Sequence, residues 1–296
     1  MTFTFKKIMP LLLISVLIVS VSATATHIQG VKAENAAIIF NPNYTISGVD
    51  PSQEPAYTDS VANMIAYYFN TYGQNYGYVS TCEDQYATKQ QYMNDLSSLS
   101  NSYYNLVVYS KGHEWNWTMI NGNTGNFELI PNDYGTNGAV QDSNNVYPYT
   151  TTADRFVFLW HCGTAMSYPS TDGSSGWEGM AYDFTHDNSM HTSGLTSPDT
   201  GSDVFMGFIW YSPEYYNSTG YNSNNYGDFV TYFYQGLLQY GDTVSEALNY
   251  ASGLTLGNSN LALTPFYTGM SESYPGMGTY TSQFRVYGDS NLHIPA

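Results

Sequence analysis

The sequence predicts an α/β fold, a parallel or mixed sheet covered by helices. Short apolar runs alternate with stretches of helical periodicity along most of the 296 residues. A content of 42% hydrophobic and 17% aromatic residues is ample for a real core. Long polar insertions rich in Gly, Ser and Asn separate the regular segments, as loops around a compact α/β domain would.

Taken in order, Ala36 to Phe40 reads as a buried first strand, and Tyr57 to Tyr72 carries apolar and aromatic residues at helical spacing. Tyr76 to Thr81 is a second strand and Thr88 to Leu99 a second amphipathic helix. Leu106 to Ser110, Phe156 to Trp160 and Val204 to Trp210 follow as the third, fourth and fifth strands. Asp228 to Leu254 is a long helical stretch broken near Gly241-Asp242, and Phe284 to Tyr287 with the end of the chain forms a last edge strand. Between Trp115 and Tyr134, Asn-Gly and Thr-Gly pairs flanked by aromatics predict a hairpin. Gly135 to Ala153 and Ser167 to Asp203 read as loops. No internal repeat and no linker calls for a second domain.

The first residues predict export. Lys6 and Lys7 precede an apolar run from Ile8 to Val21, and Ser22-Ala-Thr-Ala25 supplies the small residues of a cleavage site. Residues 1–25 are therefore expected to be a signal peptide, 26–296 the mature domain, and the location extracellular or cell-surface. The run is short for a bilayer span of about 20 residues, so no stable membrane insertion is expected after cleavage. Loss of Lys6 and Lys7 leaves five basic residues against 24 acidic ones. Five scattered cations cannot form the basic patch that nucleic acid requires, and an anionic membrane surface is disfavoured for the same reason. Asn43, Asn116 and Asn217 each open an Asn-x-Ser/Thr triplet, an expected glycan site in an exported chain.

Two strand ends carry reactive side chains. The third strand leads into Lys111-Gly112-His113, and the fourth into His161-Cys162-Gly163. In open α/β sheets ligands collect at the carboxyl ends of the strands, so neighbouring strands would bring His113 and Cys162 into one cleft. Their separation of about 50 residues matches that between His and Cys in caspase-type enzymes. A thiol of pKa about 8.5 is a weak nucleophile near neutrality, and an adjacent imidazole can hold it as thiolate or take its proton. His161 should point to the opposite face of its strand and act as a structural neighbour.

The strings VVYSKGHE (107–114) and FVFLWHCGTA (156–165) resemble the strand–Gly-His and strand–Cys signatures of the clan CD cysteine peptidases, the group of caspases, metacaspases, legumain, clostripain and gingipains. VFMGFIWYSP (204–213) and FRVYGDSNLHIP (284–295) are most like the gingipain branch and its prokaryotic relatives. The resemblance implies a caspase-like three-layer α/β/α sandwich around a mostly parallel six-stranded sheet in the order 2-1-3-4-5-6. It implies Cys162 as nucleophile, His113 as acid/base, backbone N–H groups of Glu114 and Gly163 for the oxyanion, a peptide or protein substrate, and no metal or organic cofactor. Glu114 stands where the family usually has Gly, and Trp160 stands where basic-specific relatives carry an acid. Trp160, Trp210, Glu178, Asp183 and Asp187 are the candidates for lining a substrate pocket, the three carboxylates as readers of a cationic side chain.

Exported proteins often pair their cysteines. The implied strand order, however, puts Cys82 and Cys162 three strand spacings apart, roughly 14 Å, beyond the reach of a disulfide of about 7 Å between Cα atoms. His113, Glu114, His161, Cys162, His186, Asp187 and His191 could serve as metal ligands, but none of their spacings is a zinc signature. The competing class is a non-catalytic shell of the same fold kept for adhesion or cell-envelope assembly. It requires His113 to turn into the core.

Overall fold

The computed structural model describes residues 33–43, 54–113, 128–150, 154–166, 168–169, 177–186, 203–209, 211–213, 224–257, 266–274 and 278–294. The expected signal peptide and the Asn116 and Asn217 triplets lie outside these residues.

Seven strands form one sheet: β1 (Ala33–Asn41), β2 (Tyr76–Glu83), β3 (Tyr103–Lys111), β4 (Asp154–Trp160), β5 (Val204–Ile209), β6 (Phe266–Tyr274) and β7 (Gly278–Gly288). Their spatial order is β6-β7-β5-β4-β3-β1-β2. The pairs from β2 through β5 are parallel, whereas β7 runs antiparallel to β5 and β6 antiparallel to β7. The expected order 2-1-3-4-5-6 is therefore present, with one strand more than expected. The C-terminal strand is an inner strand, because β6 takes the edge beside it. β6 reads FYTGMSESY, with an internal Gly and no apolar run. Such a segment has little strand signal of its own and relies on ladder bonds to its neighbour.

Helices cover both faces. They are α1 (Glu54–Tyr72), α2 (Lys89–Ser102), the short α3 (Tyr134–Asn137) and α4 (Met180–Thr185), α5 (Tyr226–Gln235) and α6 (Val244–Leu256). Side-chain alternation along each strand divides the core. Ile39, Tyr109, Phe158 and Trp160 pack with α1, α5 and α6, while Ile38, Phe40, Val108, Val157 and Leu159 pack with α2 and α4. Residues buried on both faces explain why these strands read as nearly unbroken apolar runs.

Helix ends follow local sequence chemistry. Thr88 caps α2 by accepting from the Gln91 N–H at 3.2 Å. The break expected near Gly241-Asp242 is real: α5 runs into a wide turn at Gly236–Tyr240, Gly241 adopts a left-handed backbone, and α6 starts afresh. Thr243 with Glu246 forms a reciprocal capping box at this new start, as Asn225 with Asp228 does at the start of α5. The stretch expected as a loop from Gly135 is ordered in part. Val140–Gln141 pairs antiparallel with Glu128–Leu129, and two short helical turns, Asp142–Val146 and Tyr147–Tyr149, follow. The predicted hairpin over 115–134 falls mainly outside the described residues, and the ladder seen here closes beyond it.

Thr243→Ala removes an acceptor for the Glu246 N–H, at 3.2 Å in the native helix. It is expected to cost about 1 kcal/mol, read as a lower urea midpoint with an unchanged slope.

Candidate active site

The parallel ladder between β3 and β4 pairs Asn105 with Asp154 and continues without a shift to Lys111 with Trp160. The Gly112 N–H then donates to the Trp160 carbonyl at 3.4 Å, so the pairing extends past both strands. His113 follows two residues past Lys111 and Cys162 two residues past Trp160, so both stand just beyond the carboxyl ends of neighbouring strands. The sequence spacing of the two residues is thus the register offset of the ladder itself. His113 is half-buried, and Cys162 is half-buried and forms no disulfide.

His161 faces the other way. It is fully buried, with Nε2 2.7 Å from Ser110 Oγ and Nδ1 3.1 Å from the His113 carbonyl oxygen. A carbonyl can only accept, so Nδ1 carries the proton, and the neutral ring then accepts the Ser110 hydroxyl at Nε2. Burial holds the ring neutral, with its pKa down to about 3; the bond to the His113 carbonyl opposes the shift, and the charges of Lys111 and His113 add to it. His161 is therefore no base. It is a strut that fixes the peptide of His113 from behind, where the same carbonyl also accepts the Ile130 N–H at 3.0 Å. Gly112 makes the approach possible, since a methyl group there would lie 2.9 Å from His161 Cε1 and 3.2 Å from Pro42 Cγ.

Beyond Cys162 the chain turns sharply. Gly163 has φ of +68°, a left-handed conformation that glycine adopts without strain, and the Met166 N–H closes the turn on the Gly163 carbonyl at 2.9 Å. The turn is stitched to the end of β5, with the Ala165 N–H donating to the Phe208 carbonyl at 2.9 Å. Past β5, Ser212 reaches the thiol: its N–H lies 3.3 Å and its hydroxyl 3.6 Å from Cys162 Sγ. Sequence reading missed Ser212. Its only signal was its place just past the end of the fifth strand, where Trp210 drew attention as the larger side chain.

No protein-family model matches the chain, and no curated protein does. Among solved structures, caspase-1 from Spodoptera frugiperda aligns at 10% identity and a TM-score of 0.38, over 75% of this chain and 78% of its own. The Drosophila initiator caspase Dronc aligns at 10% identity and a TM-score of 0.37, over 91% and 87%. Both are what the chain is similar to; the chemistry below is drawn from the geometry of this chain.

The remaining pocket candidates fall in different places. Trp160 is fully buried, its ring 5.2 Å from that of Tyr226, with Lys111 Nζ 5.0 Å from its centroid. Its Nε1–H donates to the Pro213 carbonyl at 2.6 Å. The ring is therefore a support beneath the 211–213 segment and not an open pocket wall, because residue 160 alternates onto the core side of β4. Asp183 is also buried, on α4, where its carbonyl accepts the Thr150 hydroxyl at 2.9 Å. It is withdrawn from any cleft by the helix that the sequence reading had taken for loop. Glu178 lies in a two-residue ladder opposite Tyr168. Glu114, Trp210 and Asp187 lie outside the described residues. Among the described residues, no three His, Cys, Asp or Glu side chains gather as a metal ion would need.

Two outcomes test this arrangement. Below pH about 6.5 the unfolded chain protonates residue 161 and the folded chain does not, so stability should fall from pH 6.5 toward 3. Thermal melts across that range should show a shallower fall in His161→Gln, and an unchanged fall would remove His161 as its cause. Gly112→Ala should displace His161 and with it His113, so that any Cys162-dependent activity drops at least tenfold in a chain that still folds by circular dichroism.

Proposed function

We propose that this protein is an exported cysteine endopeptidase that cleaves peptide bonds with a Cys162–His113 dyad. The single observation that supports the reading is the unshifted β3–β4 register, past whose carboxyl end His113 and the half-buried Cys162 each follow by two residues. His113 takes the thiol proton as the Cys162 sulfur attacks the substrate carbonyl carbon, and the carbonyl oxygen takes the negative charge. His113 protonates the departing amine, leaving a thioester on Cys162. It then takes a proton from water, which attacks the thioester and frees the carboxylate product and the thiol.

The Gly163 N–H, in the turn directly after the nucleophile, is an oxyanion donor in this scheme, and the Glu114 N–H is the second. Among the described residues the Gly163 N–H meets no acceptor. The substrate is a peptide or protein. Export rests on the leader read in residues 1–25, and the segments VFMGFIWYSP and FRVYGDSNLHIP favour the gingipain branch of the clan. Among the described residues no helix is long and apolar enough to cross a membrane. The rival shell reading requires His113 in the core, and its half-buried position at the strand end speaks for catalysis.

Cys162→Ala is expected to lower peptide-library cleavage by at least about three orders of magnitude, while Cys82→Ser leaves it within about twofold. Cys82 is buried, and burial pushes its thiol up to about 11; the Ser80 hydrogen bond opposes the shift and Asp95 and Glu83 add to it, so it forms no nucleophile. Full activity in Cys162→Ala would refute the dyad.

A further inference from the structure

We infer that Ser212 is a positioning residue that stabilises the Cys162 thiolate, its main-chain N–H and its hydroxyl both donating to Sγ. The inference deepens the proposed function, since it rests on Cys162 being the reactive group.

Three observations carry it. Ser212 is 5% exposed, so water does not compete freely for its polar groups. Its N–H lies 3.3 Å and its hydroxyl 3.6 Å from Sγ, separations that suit sulfur because its radius exceeds that of oxygen. A thiolate has no proton to give, so in the charged state both groups donate. The segment is also held from below: the Trp160 Nε1–H grips the Pro213 carbonyl at 2.6 Å, and the Phe208 carbonyl is tied to Ala165. Two donors fixed on a charged acceptor before reaction favour the charged form and lower its pKa. They also fix the direction of the sulfur.

This gives Trp160 a role as well. Its indole N–H positions Ser212 through Pro213, one step removed from the sulfur. The core tryptophan and the buried serine form one device.

The test reads the thiol directly and needs no turnover. In a Cys82→Ser background, the rate of Cys162 alkylation by iodoacetamide is followed against pH in the full chain. The expected midpoint lies below the ordinary cysteine value of about 8.5. Ser212→Ala should raise it by about half a unit, so that alkylation well below the midpoint slows about threefold; Ser212→Thr, which keeps a hydroxyl, should restore it. Trp160→Phe keeps a ring in the core but loses the tether, and should raise the midpoint in the same direction. An ordinary or higher midpoint in the Cys82→Ser parent would overturn the inference without reference to any Ser212 variant. Equal midpoints in the parent, Ser212→Ala and Trp160→Phe would overturn it too. A chain that shows these shifts but cleaves no peptide would keep the inference and remove the peptidase reading.

Discussion

The constraint on which the site depends is the parallel pairing of β3 with β4 in a single, unshifted register. Parallel strands cannot be joined by a tight turn, so more than forty residues separate these two, and only side-chain burial fixes their alignment. Val107, Tyr109, Phe156 and Phe158 lock one face, while Val108, Val157 and Leu159 lock the other. A slip of one residue would invert every one of these side chains and put Trp160 on the wrong side of the sheet. The hydrophobic core thus sets the alignment of the two strands that lead into His113 and Cys162.

Register alone aligns backbones; the orientation of the reactive groups comes from the second layer. Behind His113, the neutral His161 joins the Ser110 hydroxyl to the His113 carbonyl, so adjacent strands are bonded through an imidazole at the point where the ladder ends. Burial pays its cost here in lost basicity and returns rigidity. In front, the 211–213 segment is held by Trp160 and faces the thiol. Each of β3, β4 and β5 therefore contributes one element at its carboxyl end: His113, Cys162 and Ser212.

What was legible in the sequence was whatever depends on periodicity and spacing. The apolar runs located the first five strands, the helical pattern located α1 and α2, and the Gly-Asp pair marked the break before α6. The His113–Cys162 spacing was readable because a parallel register turns sequence distance into spatial level. Contacts that depend on side-chain direction at strand ends were not readable. Trp160 looked like a pocket residue because it lies two before Cys162, yet the alternation of β4 sends it into the core. Asp183 looked like a loop carboxylate because the six-residue helix around it is too short to show a periodic pattern. Ser212 carried no periodic pattern; one of its two contacts with the sulfur is made by a backbone N–H that any residue but proline has.

The two cysteines show why position and not composition selects the reactive thiol. Cys82, near the end of β2, lies among Ser80 and Asp95, with the Asp95 carboxylate 3.4 Å from its sulfur and already taking the Ser80 hydroxyl at 2.6 Å and the Gln91 amide at 2.9 Å. An anionic neighbour and a buried setting both oppose a second negative charge, so the Cys82 sulfur keeps its proton and donates it to Asp95. Cys162 has different surroundings: the N–H and hydroxyl of Ser212 beside the sulfur, and a half-buried setting. β1 and β3 lie between the strands that carry them, which keeps the thiols from pairing and leaves Cys162 unoxidised by its only possible intramolecular partner. The same sheet order that brings the ends of β3 and β4 together therefore also keeps Cys162, the proposed nucleophile, apart from the other thiol in the chain.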